Sequence, residues 1–247
     1  MGLTAAGYNR QQNLGPWGFT LQDCARKMNK TLTTLFALAV ACGTAVSYAQ
    51  EVQGDVKAGE QKTAMCIGCH GIVGYQSSFP EVHKVPKISG QSAGYIASAL
   101  HAYQKGDRKH PTMRGIAISL TDQDIADLSA YYAQHGKTTA ELPAKPAREP
   151  STQVAALLQK GACVSCHGDN FAKPIDPSYP HIAGQHADYL FVALKSYKTE
   201  KNPHVGRNNG VMAGVAGQFS NAELKALASY IGKVDGDLQV VPQSRFR

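Results

Sequence analysis

Cysteine is scarce in this sequence, and none is left over for a disulfide framework. Six cysteines occur among 247 residues, and two of them, Cys24 and Cys42, lie in an N-terminal stretch that we expect to be removed. The other four belong to two copies of one short motif, considered below. Disulfides are common in small exported proteins, but a fold held together by disulfide bridges is excluded here because every remaining thiol has another predicted use.

Long hydrophobic runs are also absent from the N-terminal stretch. The apolar run over residues 35–41 is far shorter than the roughly 20 residues that a membrane-spanning helix needs. Basic residues around Met28 precede this run and a small-residue site at 47–49 follows it, which is the pattern of a cleaved secretory signal peptide. We therefore predict a signal peptide over residues 28–49 and export to the periplasm. Residues 1–27 are interpreted as an over-extended N-terminus.

A strong excess of one charge is absent once this stretch is set aside. The whole chain has 25 basic and 18 acidic residues, a formal net charge of +7. Four of the basic residues and one of the acidic residues lie in positions 1–49, which leaves 21 and 17. This balance is too even to indicate a nucleic-acid-binding protein, so we expect no nucleic-acid partner.

Two Cys-x-x-Cys-His motifs are the most specific feature of the sequence. The motif residues are Cys66, Cys69 and His70 in the first copy and Cys163, Cys166 and His167 in the second. This motif is the attachment signature of c-type haem: the two thiols form thioethers with the haem vinyl groups, and the histidine supplies an axial nitrogen to the iron. A structural zinc site needs its second pair of ligands about 12 to 20 residues away, and a thioredoxin-like motif needs a βαβ setting. Neither fits, so the sequence predicts two covalently bound haems.

The rest of the chain repeats together with the motifs. Residues 86–91 are Pro-Lys-Ile-Ser-Gly-Gln, and residues 180–185 are Pro-His-Ile-Ala-Gly-Gln. Such internal similarity indicates two copies of one domain, which we place at residues 50–137 and 151–247. Residues 138–150 are rich in proline and alanine without apolar periodicity, so we interpret them as a linker.

Apolar periodicity predicts helices, and no convincing run of alternating strands is present. In each half a final helix is expected to begin at a capping box, at residues 121–124 and 220–223. The apolar residues that follow recur at the three- and four-residue spacing of a buried helix face. They are Ile125, Leu128 and Tyr132 in the first half and Leu224, Leu227 and Ile231 in the second. A short helix is predicted before each motif, over residues 56–65 and 154–160, so the expected fold class is all-α.

Methionine is scarce too, and its positions suggest the second iron ligands. Met1 and Met28 are candidates for the start codon, and Met65 is too close to Cys66 to reach the opposite haem face. Met113 and Met212 remain, one in each half and each just before the final helix. A thioether ligand gives a closed, high-potential iron, whereas an open position allows ligand binding or peroxide chemistry. We predict Met113 and Met212 as axial ligands.

Four histidines could compete with the methionines as ligands. None of them keeps its position in both halves, so we interpret them as surface residues. They are His101, His110, His186 and His204.

With these residues in hand, the chain resembles the diheme cytochromes of the cytochrome c4 family over residues 54–235. The resemblance implies two tandem class I cytochrome c domains, each wrapped round a covalently bound haem with histidine and methionine ligands. It also implies that the carbonyls of Pro86 and Pro180 accept a hydrogen bond from the ring N–H of His70 and His167, which would orient each imidazole. The segment before Met113 departs from its counterpart, since it contains Pro111. The loop before Met212 is also five residues longer than the loop before Met113.

The function implied by the resemblance is electron carriage in the periplasm, from a quinol-oxidising bc complex to a terminal oxidase, without catalysis. Two alternatives stay open. A diheme redox enzyme of the peroxidase or thiosulfate-oxidising type would need an open site or an unusual ligand, and an electron-accepting subunit of a dehydrogenase would have the same residues. Peripheral membrane association is also possible. Basic residues of the first half are candidates for docking redox partners, or else an ordinary solvated surface; they are Lys84, Lys87, Lys105, Arg108, Lys109 and Arg114.

Overall fold

The structure is a computed structural model that describes residues 52–137 and 141–242. The predicted signal peptide and N-terminal extension lie outside the described residues. Within the described ranges, no helix has both the length and the apolar character needed to cross a membrane.

The described residues fold mainly as helices, as the periodicity predicts, and five helices follow one another in the same order in each half. The helices of the first half are α1 (Val56–Gln61), α2 (Ala64–His70), α3 (Ala93–Lys105), α4 (Pro111–Ala117) and α5 (Asp122–Gln134). Those of the second half are α6 (Thr152–Lys160), α7 (Cys163–His167), α8 (Ala187–Tyr197), α9 (Gly210–Gly217) and α10 (Asn221–Ile231). Both capping boxes are present, at Thr121 for α5 and at Ser220 for α10.

The first predicted helix differs from the sequence-based expectation. Instead of one helix over residues 56–65, the chain forms α1 and α2 with a break at Lys62 and Thr63. The Thr63 hydroxyl donates to the carbonyl of Glu60 at 2.9 Å, and such side-chain bonds to the backbone compete with regular helix. The second helix therefore contains the whole Cys-x-x-Cys-His motif.

Four two-residue strands complete the described elements. Strands β1 (Gln76–Ser77) and β2 (His83–Lys84) form an antiparallel hairpin in the first half. Strand β3 (Arg108–Lys109) pairs antiparallel with β4 (Gly206–Arg207), so this ladder joins the two halves. Two residues are too few to give any periodicity, so the sequence pattern does not predict these strands.

Each half has its own apolar core around its final helix. In the first half, α5 packs against α1 and α3, with Leu128 and Tyr132 buried. In the second half, α10 packs against α8 and α6, with Leu224 and Leu227 buried. These positions belong to the predicted apolar stripes, and their burial confirms them as core packing.

Several polar contacts hold the halves together. The Lys195 ammonium pairs with the Glu81 carboxylate at 2.8 Å, and Lys84 pairs with Asp188 at 3.4 Å. The predicted linker also contacts the second half, since the amide of Asn170 donates to the carbonyl of Pro143. The described part of this segment, residues 141–150, has no helix or strand.

Candidate haem-binding sites

The two motif helices bring the cysteines of each motif to one side. In α2 and α7 the cysteines of each motif are three residues apart, which places both on the same helix face, and all four are half-buried. Burial raises the pKa of Cys66 to about 11 and also raises the pKa of Cys163. A redox-active Cys-x-x-Cys motif needs a thiol of lowered pKa, which Cys66 and Cys163 do not offer.

The motif histidines are held by proline carbonyls. His70 Nδ1 lies 2.8 Å from the carbonyl oxygen of Pro86, and His167 Nδ1 lies 3.2 Å from that of Pro180. Because a carbonyl can only accept, Nδ1 carries the proton in both rings, and Nε2 has a free lone pair for a metal. Burial lowers the pKa of both histidines, which favours the neutral imidazole that ligates iron.

The two methionines occupy equivalent positions in short helices. The backbone N–H of Met113 donates to the ring Nδ1 of His110 at 3.4 Å, and that of Met212 donates to the Asn209 side chain at 3.0 Å. His110 and Asn209 are therefore the N-caps of α4 and α9, and each methionine is the third residue of its helix. Pro111 is the first residue of α4, a position that proline favours, so it leaves the methionine in the matching place.

An apolar cavity lies between the predicted ligands of the second half. Cys163, His167 and Met212 all line it. The remaining lining is hydrophobic: Ile182, Leu194, Val215, Ala216, Phe219, Leu224, Leu227 and Ile231. A thiol, an imidazole and a thioether around an apolar cavity fit an iron porphyrin. Among the described residues, no cluster of three or more His, Cys, Asp and Glu side chains suits a metal ion by itself.

Two arginines meet where the halves join. Arg108 and Arg207 are paired residues of the β3–β4 ladder. Arg108 donates to the hydroxyls of Tyr95 at 3.2 Å and Tyr189 at 2.7 Å, and Arg207 donates to Tyr189 at 3.1 Å. Burial raises the pKa of Tyr189, but the two guanidinium groups outweigh this effect and lower it below its usual range.

These guanidinium groups lack a negative partner in the described part of the chain. Neither forms an ion pair with a carboxylate there, and the buried Nε of Arg108 has no hydrogen-bond partner. Buried charge needs compensation, which the propionate carboxylates of a bound haem would supply. The sequence held a signal for this pair, since each arginine lies five residues before its methionine.

Three of the basic residues predicted as docking candidates also make contacts within the chain. Arg108 lies against Tyr103, with its guanidinium carbon 4.7 Å from the ring centre. Lys84 pairs with Asp188, and the ammonium of Lys87 donates to the carbonyl of Gly184 at 2.7 Å. These three side chains hold the two halves together. Lys105, Lys109 and Arg114 are exposed.

The competing histidines are not all simple surface residues. His110 is a half-buried helix cap, as described above, and His186 is half-buried before α8. His101 contacts Gln104 at 3.1 Å, and His204 is exposed.

Comparisons with known proteins agree with this geometry. The family model described as cytochrome c matches residues 56–135 and again residues 151–235. Cytochrome c4 of Pseudomonas aeruginosa is 30% identical over 207 residues, which cover 83% of this chain and 98% of that protein. The solved structure of reduced recombinant cytochrome c4 from Pseudomonas stutzeri matches with a TM-score of 0.52 and 27% identity, covering 74% of this chain and 100% of that one. A thiosulfate dehydrogenase electron acceptor of Thiomonas intermedia is 28% identical over 181 residues, which cover 69% of this chain and 78% of the relative.

Proposed function

Because this chain belongs to the cytochrome c4 family of diheme electron-transfer proteins, we propose that it carries electrons in the periplasm from a quinol-oxidising bc complex to a terminal oxidase. The observation that carries this proposal is that both halves offer the same set of groups. Each has two thiols, an imidazole fixed by a proline carbonyl, and a methionine at the third position of a capped helix. Two closed iron sites suit a carrier and leave no position for a substrate.

The chain's own residues would hold, orient and shield the cofactors. His70 and Met113 would ligate the first iron, and His167 and Met212 the second. When bound, each haem iron supplies a one-electron couple between its ferrous and ferric states. The apolar side chains around the second site would exclude water, and a water-excluding surround favours the reduced form. Arg108 and Arg207 would bind propionate carboxylates.

The first test is the optical spectrum of the purified holoprotein, oxidised and reduced. We expect the far-red band of ferric iron–methionine coordination at two per protein, and no change when carbon monoxide is added to the reduced form. One haem that lacks the band and binds carbon monoxide would contradict the carrier proposal and favour a diheme enzyme.

The second test concerns the partners. Oxidised holoprotein is mixed with quinol and bc complex, and the reduced product is then mixed with terminal oxidase while both haems are followed by stopped-flow spectroscopy. We expect reduction that a bc-complex inhibitor abolishes, followed by reoxidation by the oxidase. The respiratory proposal fails if neither complex turns the protein over.

A second candidate is an electron-accepting subunit of a dehydrogenase, and one comparison favours it. The relative from Thiomonas intermedia is described as a thiosulfate dehydrogenase electron acceptor. In the same stopped-flow experiment, reduction by thiosulfate and a thiosulfate dehydrogenase, without reduction by the bc complex, would support this candidate.

A further inference from the structure

The last residue of each Pro-x-Ile-x-Gly-Gln segment reaches across to the other half. The Gln91 side chain accepts from the backbone N–H of His181 at 2.9 Å and donates to the carbonyl of His181 at 3.0 Å. The Gln185 side chain accepts from the N–H of Lys87 at 3.0 Å and donates to the carbonyl of Lys87 at 2.9 Å. Both glutamines are only 4% exposed. The contact is therefore buried, paired and reciprocal.

Neighbouring groups fix the orientation of both side-chain amides. Gln91 Oε1 also accepts from the N–H of Ser92 at 2.9 Å, and Gln185 Oε1 also accepts from the N–H of His186 at 3.0 Å. An oxygen is required where two N–H groups converge, and a nitrogen is required opposite a carbonyl. Gly90 and Gly184 precede the glutamines at φ values of +83° and +68°, a conformation that glycine adopts without strain.

The peptide groups that the glutamines contact are the ones that hold the motif histidines. The N–H of Lys87 and the carbonyl of Pro86 belong to a single peptide group. That carbonyl accepts from His70 Nδ1 while the N–H donates to Gln185. In the other half, one peptide group likewise joins His167 to Gln91, through the carbonyl of Pro180 and the N–H of His181.

We propose that Gln91 and Gln185 are positioning residues for the iron-ligating histidine of the opposite half, so that each half sets part of the reduction potential of the other. A peptide group is planar, so anchoring its N–H also fixes the direction of its carbonyl. Hydrogen bonds in a chain polarise one another, so the glutamine strengthens the bond from histidine Nδ1 to the carbonyl. A stronger bond there makes the imidazole a better donor to the metal and favours the ferric state.

The test is a matched pair of variants, Gln91→Met and Gln185→Met, which keep the side-chain length and remove the two hydrogen bonds to the opposite half together with the one to the following residue. We expect Gln91→Met to shift the reduction equilibrium of the haem at Cys163 and Cys166 towards the ferrous state. The expected change is about threefold to tenfold, the range of one hydrogen bond. Gln185→Met should do the same to the haem at Cys66 and Cys69. Spectroelectrochemical titration gives the equilibria, and NMR signals of the axial ligands assign them to the two haems.

A direct readout is the NMR signal of the histidine ring N–H. In Gln91→Met, the Nδ1–H of His167 should exchange faster with solvent, whereas that of His70 should keep its wild-type rate. Glu81→Gln is the control, because it breaks the ion pair with Lys195 between the halves without touching either peptide group. The proposal is overturned if each variant alters the haem of its own half, alters both haems equally, or has no more effect than the control.

If a variant fails to fold, the proposal can still be tested on the wild-type protein. There the backbone N–H groups of Lys87 and His181 should exchange slowly, and rapid exchange at either would contradict the proposed path. The inference rests on the histidine ligation proposed above. Failure of that ligation would appear as an abnormal wild-type spectrum, whereas failure of the glutamine path leaves the wild-type spectrum unchanged.

Discussion

The final helices of the two halves, α5 and α10, lie in equivalent places, but one buries polar side chains where the other has alanine. Helix α5 buries Asp127 and Ser129, whereas α10 has Ala226 and Ala228 at the positions equally far from its capping box. The repeat therefore preserves the groups that suit haem and allows the supporting core to differ. The geometry of the iron ligands depends on a few atoms whose positions must be kept, whereas the final helix of each half can be held by either polar or apolar contacts.

In the first half the support is a polar network. Asp127 is 2% exposed and accepts from the N–H of Asp55 at 2.7 Å and from Gln123 at 2.8 Å. The Lys62 ammonium lies 2.6 Å from Asp127 and 2.8 Å from Asp124. Burial by itself would raise the pKa of Asp127, but these bonds outweigh it and lower the pKa below its usual value.

In the second half the support is apolar. Ala226 packs against a cluster that includes Phe171, Leu224 and Leu227. The residue that corresponds to Lys62, four positions before the first motif cysteine, is Gln159. No charged pair is therefore available at this place in the second half.

The largest expected effect comes from removing each predicted methionine ligand. Met113→Ala and Met212→Ala should each abolish the ferric iron–methionine band of one haem and leave the other. The potential of the altered haem should fall by on the order of 0.2 V, within the range of about 0.8 V that axial ligands span. Optical spectroscopy and redox titration check both changes. Retention of both bands in either variant would break the equivalence of the two sites.

The next largest effect concerns the polar network of the first half, which has no counterpart in the apolar core of the second half. Asp127→Ala leaves the Asp55 N–H and Gln123 without their acceptor, so the free energy of unfolding of the first half should fall by about 2 kcal/mol. Glu60→Ala, at an exposed residue of α1, is the control and should change it little. Denaturant titration followed at each haem measures the loss. An equal loss at both haems would mean that the halves unfold as one unit.

The sequence predicted the features that depend on local residue spacing, but it could not predict the contacts between the two halves. The capping boxes of Thr121 and Ser220 and the apolar stripes follow from local patterns, and the structure contains them. The break at Lys62 and Thr63, which separates α1 from the motif helix α2, was not predicted. The contacts of Gln91 and Arg108 join residues that are 90 and 81 positions apart. No local pattern specifies such pairs. Even so, Arg108 and Arg207 stand at equal spacing from their methionines, a signal in the sequence from which no prediction was made.

Acidification should destabilise the first half, with its polar network, more than the second half, with its apolar core. The pKa of Asp127 is lowered by its hydrogen bonds in the folded state, so its stabilisation is present above the unfolded value of about 3.9 and is lost as the pH falls through the folded value. Asp176 and Glu223 of the second half also have lowered pKa values, but through contacts with exposed serines. We therefore expect the first haem to lose its native spectrum at a higher pH than the second. In Asp127→Asn this difference should disappear, and its persistence would contradict the assignment.

The smallest effect concerns the arginine pair, whose contacts are unequal. Among the described residues, the Arg108 guanidinium donates to Tyr95 of its own half and to Tyr189 of the other, whereas the Arg207 guanidinium donates to Tyr189 of its own half. Lysine keeps the charge but loses the planar fork of donors, so a nearby propionate would be less well neutralised and the ferric state favoured. Arg108→Lys should therefore lower both potentials, and Arg207→Lys mainly that of the second haem. The expected shifts are on the order of 40 mV, which corresponds to about 1 kcal/mol for a one-electron couple. Redox titration of the two variants measures these shifts. If each variant lowered only the potential of the haem in its own half, and by the same amount, Arg108 would not act across the interface.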